Sequence, residues 1–175
     1  MQRPAKITAI VGTYRKGGVI DSAVDELLGA AATVGAQTTK FYLVDQDIEF
    51  CTNCRSCTQQ AGEEFGRCVI DDRMRPILDE IERSDSMILA SPMNFGTVTA
   101  VMKRFIERLV CFAYWPWGKM TPSTRKRERT KQAVVVASSA APAILARLFT
   151  SMVGLLKQTA RLLGAKRVDV LFIGL

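Results

Sequence analysis

Two patterns of apolar residues alternate along this chain. Short apolar runs with β-branched residues at 6–11, 38–44, 85–90, 132–137 and 166–173 predict five strands. The fourth is uniformly Val and Ala after Gln132, which suits burial on both faces. Between these runs the apolar positions recur at helical spacing. Val24, Leu27, Leu28 and Ala31 mark a first helix, with Asp21 placed to cap it and Gly35 to end it. Met74, Ile77, Leu78 and Ile81 mark a second, opened by the acidic pair Asp71-Asp72 at its positive end. Val98, Val101, Met102, Phe105, Ile106 and Leu109 mark a third. A fourth runs from Pro142 to about Leu163.

Strands that alternate with helices need crossover connections, hence a parallel sheet with helices on its faces. The expected fold is α/β: a doubly wound five-stranded parallel sheet of order 2-1-3-4-5, a three-layer sandwich forming one domain over 1–175. The pattern stops at Leu175, just after the fifth strand, with no helix to pack beside the first one. The expectation is apolar sheet surface left uncovered there, by truncation or for a partner chain.

Of the 175 residues, 48% are hydrophobic and 23% charged, which is ordinary for a globular protein and argues against disorder. The net charge of +7, from 24 basic and 17 acidic residues, suits an anionic ligand such as a nucleotide phosphate. Much of the excess lies in 125–131 (Arg-Lys-Arg-Glu-Arg-Thr-Lys). With no interleaved aromatic and no nucleic-acid motif, that run reads as a solvated loop, and nucleic acid is not an expected partner. There is no histidine. Ser-His-Asp and Cys-His catalysis and imidazole zinc sites are thereby excluded.

No signal-peptide core precedes the first strand, and the longest apolar zone, 133–156, is interrupted by Ser138-Ser139, Pro142 and Arg147. It reads as strand, turn and helix rather than a membrane span. The expected compartment is the cytoplasm, where the five cysteines stay reduced or bind metal.

Two loops carry candidate chemistry. Gly12-Thr13-Tyr14-Arg15-Lys16-Gly17-Gly18 links the first strand to the first helix, where backbone amides and the helix dipole favour an anion, with Thr13 supplying a hydroxyl and Arg15 or Lys16 charge. Alone it is equally an ordinary strand–helix turn. Ser91-Pro92-Met93-Asn94-Phe95-Gly96-Thr97 follows the third strand and precedes a helix. In a 2-1-3-4-5 sheet the ligand crevice lies between strands 1 and 3, so both loops fall on it.

On these residues, together with Cys51-Thr52-Asn53-Cys54-Arg55-Ser56-Cys57, Cys68-Val69-Ile70-Asp71-Asp72-Arg73-Met74 and Met102-Lys103-Arg104-Phe105-Ile106-Glu107-Arg108, the chain resembles the flavodoxin-like NADPH-dependent FMN reductase family over essentially all its length. The resemblance implies FMN, its phosphate on Thr13, Arg15, Lys16, Gly17, Gly18, Asp21 and Ser22. It implies the ring against Pro92, Met93, Asn94, Phe95 and Gly96, with Ser138 and Ser139 approaching its other side. It also implies NAD(P)H as substrate, hydride transfer through the flavin to a quinone, flavin or similar small acceptor, and a dimer or tetramer with the flavin near the interface. In one respect the chain departs from the family. Many relatives have Asn and then Thr or Ser after the glycine pair, whereas Val19 and Ile20 stand here, so phosphate binding rests on Thr13, Arg15 and backbone amides.

Cys51-x2-Cys54-x2-Cys57, with Cys68 after ten further residues, has the form of a cluster ligand set. Iron–sulfur flavoproteins of the same superfamily carry a compact four-cysteine motif in this loop, whereas many plain reductases keep similar cysteines without a cluster. Both a [4Fe–4S] site and a loop of reduced thiols remain open, the spacing before Cys68 being longer than the compact one. Cys111 lies on an apolar helix face and reads as buried. Tyr114, Trp115 and Trp117 read as interface packing. Beside the reductase stand an electron carrier passing electrons to a redox partner protein, and a flavin or thiol sensor.

Overall fold

The computed structural model describes residues 3–62, 64–125, 128–142 and 150–174. Five strands form one parallel sheet in the order β2-β1-β3-β6-β7: β1 (Lys6–Val11), β2 (Gln37–Tyr42), β3 (Ser86–Pro92), β6 (Lys131–Ser138) and β7 (Ala165–Ile173). Counting these five alone, the order is 2-1-3-4-5, the flavodoxin-like arrangement expected. A small antiparallel pair, β4 (Ala113–Tyr114) and β5 (Ser123–Thr124), stands apart from it.

The helices bury the stripes that the sequence pattern marks. In α1 (Val19–Thr33) Ile20, Val24 and Leu28 are buried, and in α2 (Met74–Arg83) Met74, Ile77, Leu78 and Ile81. In α3 (Ala100–Arg108) Met102 and Phe105 are buried, and in α4 (Met152–Leu162) Met152, Leu156 and Ala160. The side chains of α1 pack with Ala9, Val11, Ile88, Ala90 and Val136 on one face of the sheet. Those of α2, α3 and α4 pack with Ile10, Met87, Leu89 and Val135 on the other. The strand alternation thus divides the core into two clusters, one on each face.

Three expectations are corrected. Helix α1 begins at Val19 with Gly18 as its N-cap, so Asp21 sits in its first turn and does not cap it. The expected helix from Pro142 to about Leu163 is not continuous: Thr150 and Ser151 are not helical, a helix spans Met152–Leu162, and 143–149 lie outside the described residues. The outer face of β7 beside α1 is not simply apolar. Val168, Val170 and Phe172 turn toward the α4 side, leaving Arg167, Asp169 and Leu171 outward, with Arg167 and Asp169 in an exposed ion pair. No described helix is long and apolar enough to cross a membrane.

Gly12 joins β1 to α3 at close quarters. A Cβ there would stand 2.7 Å from Met102 Cβ and 3.2 Å from Thr99 Oγ1. Gly12→Ala is therefore expected to destabilise the fold by about 1–3 kcal/mol through overpacking. Thermal unfolding checks this, and an unchanged melting temperature would refute it.

Candidate functional site

The strand registers bring three loops to one edge of the sheet. Val11 lies opposite Ala90, and Pro92 opposite Ser138, so the chain leaves β1, β3 and β6 at nearly the same height. Gly12 N–H donates to Ala90 O (2.7 Å), and Met93 N–H donates to Ser138 O (2.7 Å). Thr99, the N-cap of α3, accepts from Met102 N–H and donates its hydroxyl to Gly12 O (2.5 Å). Its amide in turn donates to the buried Ser91 Oγ (3.2 Å). Loops 12–18, 92–96 and 138–139 are thereby tied to each other at the switch point of the sheet, where open α/β sheets take ligands.

The loop after β3 ends in a tight turn. Asn94 and Thr97 exchange backbone hydrogen bonds (2.8 and 3.0 Å), with Phe95 at φ 46° and Gly96 at φ 78° between them. Both central residues have positive φ, as a type I′ turn requires. An aromatic residue in that region is strained, and the Phe95 side chain is fully exposed. Thr150 Oγ1 donates to Gly96 O (2.7 Å) and steadies the turn.

The loop after β1 is partly self-satisfied. Thr13 is buried, its hydroxyl accepting from Arg15 N–H (3.2 Å) and lying 3.3 Å from Arg15 O. Lys16 pairs with Asp45 (2.6 Å) and lies over the Tyr42 ring. Arg15 is exposed and, among the described residues, forms no ion pair.

Asp21 points into the loop, where its carboxylate accepts from Gly17 N–H (2.6 Å), Tyr42 OH (2.8 Å) and Lys40 Nζ. Burial alone would raise its pKa. The Lys40 ammonium, the Gly17 amide and the Tyr42 hydroxyl outweigh burial and hold it below the usual carboxylate range. Ser22 is exposed one residue further on.

The four loop cysteines differ in exposure, and Cys57 feels the charges of Cys68, Cys51 and Cys54. Cys54 is exposed, Cys57 buried, Cys51 and Cys68 half-buried. Among the described residues no three Cys, Asp or Glu side chains are arranged to hold a metal ion. Cys57, Cys68 and Cys111 line a cavity of about 920 Å³ with Phe65, Arg67 and Met74. Burial pushes the Cys111 thiol up to about 12 and raises Cys57 as well, whereas the Ser56 hydroxyl and amide lower Cys54.

Two arginines clamp this cysteine loop. Arg55, at φ 60°, lies 3.6 Å from the Trp115 ring centroid and 4.5 Å from that of Trp117, and donates to Trp115 O (2.6 Å). Trp115 and Trp117 thus both meet Arg55 of their own chain, Trp117 staying largely exposed. Arg125 is buried and donates to Cys57 O and Cys111 O (both 3.1 Å). The basic run is thus no plain solvated loop: its first residue is structural, its last, Lys131, bonds Glu82 O and Ser84 O, and Lys126 and Arg127 lie outside the described residues.

Sequence reasoning missed Lys40, Tyr42 and Thr99 as parts of the site. Thr99 directly before an apolar helical stripe is a readable N-cap signal. Lys40 and Tyr42 alternate with apolar residues on an edge strand and gave none.

The family model for NADPH-dependent FMN reductase matches residues 5–165. An iron–sulfur flavoprotein of Archaeoglobus fulgidus is 33% identical over 111 residues, 63% of this chain and 48% of that protein. Another, from Methanocaldococcus jannaschii, is 34% identical over 103 residues, 59% of this chain and 51% of that protein. The chain thus spans about half the length of these curated relatives. Among solved structures, an azoreductase from Bacillus anthracis superposes with a TM-score of 0.71 at 14% identity, covering 97% of this chain and 86% of that one. An NAD(P)H:quinone oxidoreductase from Methanothermobacter marburgensis gives 0.69 at 13%, covering 98% and 87%. At these identities the structural likeness speaks to the fold.

Proposed function

Because the chain belongs to the NADPH-dependent FMN reductase family, we propose that it is an oxidoreductase that binds FMN and passes electrons from NAD(P)H to a small acceptor such as a quinone, a flavin or an azo compound. The observation that carries this reading is the convergence of loops 12–18, 92–96 and 138–139 at the β1/β3 switch point.

The residues present fit the group. At the phosphate end, Arg15 supplies an exposed charge and Lys16 a partly engaged one, while Gly17 at φ 70° opens the turn without a side chain. At the ring end Pro92, Met93 and Phe95 offer an apolar surface and Phe95 and Gly96 their backbone amides, those of Met93 and Asn94 being engaged by Ser138 O and Thr97 O, with Ser138 and Ser139 beside them. FMN held at these residues would supply two-electron redox chemistry between a reduced nicotinamide and the acceptor. The chain itself binds, orients and excludes water. Its tied loops frame the crevice, and the doubly hydrogen-bonded Asn94–Thr97 turn sets where Phe95 projects. No protein acid is assigned, since no histidine is present and Asp21, the buried carboxylate bonded to the loop after β1, is held ionised.

Titrating FMN into flavin-free protein is expected to quench flavin fluorescence at one site per chain, and the loaded protein is expected to oxidise NADPH or NADH when a quinone is supplied. Protein that takes up no FMN sinks the reading. A second reading, an iron–sulfur electron carrier, is favoured by the curated relatives' names and by the four cysteines of the 51–68 loop. Iron and acid-labile sulfide assayed on anaerobically purified protein separate the two, with about four irons per chain favouring the carrier.

A further inference from the structure

We infer that Lys40 is a positioning residue for the phosphate end of the flavin, neutralising a carboxylate that the chain builds into its own phosphate loop. This rests on the flavin reading above. Asp21 lies at the third position of α1, and one of its oxygens takes the Gly17 amide (2.6 Å). A negative charge therefore sits one hydrogen bond from the turn that would receive a phosphate dianion, at the helix end that attracts both. Left alone, that carboxylate would repel the ligand.

Lys40 stands against it. Its ammonium contacts Asp21 Oδ1 and also Asp25 Oδ1 (2.5 Å), and its side chain is 14% exposed while that of Asp21 is 4% exposed. The strand register supplies the position, since Lys40 lies opposite Ala9 on β2, two residues before Tyr42. Tyr42 supports the arrangement from both sides. Its hydroxyl donates to Asp21, and its ring lies 4.6 Å from Lys40 Nζ and 4.9 Å from Lys16 Nζ. The charged groups facing Asp21 are thus Lys40, with Asp25 behind it, and Lys16, which Asp45 already engages. Lys40 is the cation placed to cancel Asp21 and leave Arg15 for the ligand.

Riboflavin has the ring and ribityl chain of FMN without the phosphate, so the ratio of the two affinities reads the phosphate end alone. Lys40→Met keeps the aliphatic stem and its ring contact but removes the charge. FMN affinity is expected to fall about tenfold or more, with riboflavin affinity changed less than about twofold, because only the dianion feels the exposed carboxylate. Lys40→Arg is expected to keep FMN binding. Adding Asp21→Asn to Lys40→Met keeps an acceptor for Gly17 N–H without the charge, and is expected to restore FMN affinity. That restoration also answers any misfolding of the single variant.

An unchanged FMN affinity in Lys40→Met overturns the inference. So does a parallel loss of both flavins, or a double variant as weak as the single one. A wild-type protein that binds neither flavin overturns the flavin reading itself, a result distinct from the other three.

Discussion

Arg108→Met is expected to cost about 3–5 kcal/mol of stability, because it leaves a buried carboxylate without its counter-charge. The side chains of Arg108 and Asp72 are 2% and 3% exposed. The guanidinium grips both carboxylate oxygens and also donates to Glu49 O (2.8 Å) and toward Cys68 Sγ (3.6 Å). Asp72 accepts in addition from Glu49 N–H (2.8 Å) and Met74 N–H (2.9 Å). One ion pair thus ties α3 to the start of α2 and to both ends of the cysteine loop. Burial would raise the Asp72 carboxyl, but Arg108 and the two amides hold it below its ordinary value. The sign follows. A carboxyl whose pKa is depressed in the fold stabilises above its unfolded value of about 3.9, and that stability is lost as pH falls through the folded value. In Arg108→Met only the Glu49 and Met74 amides still oppose burial, so the carboxyl rises relative to the wild type and protonation relieves the variant. Urea unfolding at pH 7 and near pH 4 is therefore expected to show a gap that narrows on acidification. A gap below about 1 kcal/mol at neutral pH, the range of an exposed pair, would mean the pair contributes no more than a surface bridge.

The fold was legible because it rests on periodicity. Short apolar strands and stripes such as Met74, Ile77, Leu78 and Ile81 state which face is buried without reference to anything distant, and the observed clusters follow them. The crevice was legible for a related reason. Once the strand order is fixed, the loops after β1 and β3 must meet at the switch point. What composition concealed was the fate of individual polar groups. Arg125 stands in a run of charges that looks solvated, yet it is buried because carbonyls of Cys57 and Cys111, 68 and 14 residues away, converge on it. Asp21 looked like a helix cap or a ligand contact, but a lysine from the neighbouring strand claims it. The loop of four cysteines is held by Arg55, set between two tryptophans, and by Arg125, whose guanidinium takes the Cys57 carbonyl. In each case the deciding partner is remote in sequence, and local pattern carries no trace of it.

The hold on that loop is expected to fail in Gly66→Ala. A Cβ at Gly66 would lie 1.7 Å from Cys57 O and 2.9 Å from Arg125 Nη2, and the first of these is backbone, which no side-chain rotation relieves. The Gly66 amide donates to Cys111 O (2.8 Å), so its own strip of chain has no slack on the opposite side. Alanine must push the Cys57 carbonyl away from Arg125, costing more than the about 1–3 kcal/mol of ordinary overpacking. To that is added about 1–3 kcal/mol for a buried donor left without its acceptor. Two readouts follow. The melting temperature is expected to drop further than in Gly12→Ala, where the clash is with side-chain atoms of a methionine. Thiol labelling is expected to change in order. In the wild type the exposed Cys54, with its thiolate favoured by Ser56, reacts first, while Cys57 and Cys111 are slow because they are buried and their thiols hold their protons. In Gly66→Ala the Cys57 rate rises toward that of Cys54 at temperatures well below melting, since the loop opens before the core does. A variant that melts with the wild type and keeps Cys57 protected would show that the loop yields at no cost. The two-arginine clamp would then not be what shapes the cysteines.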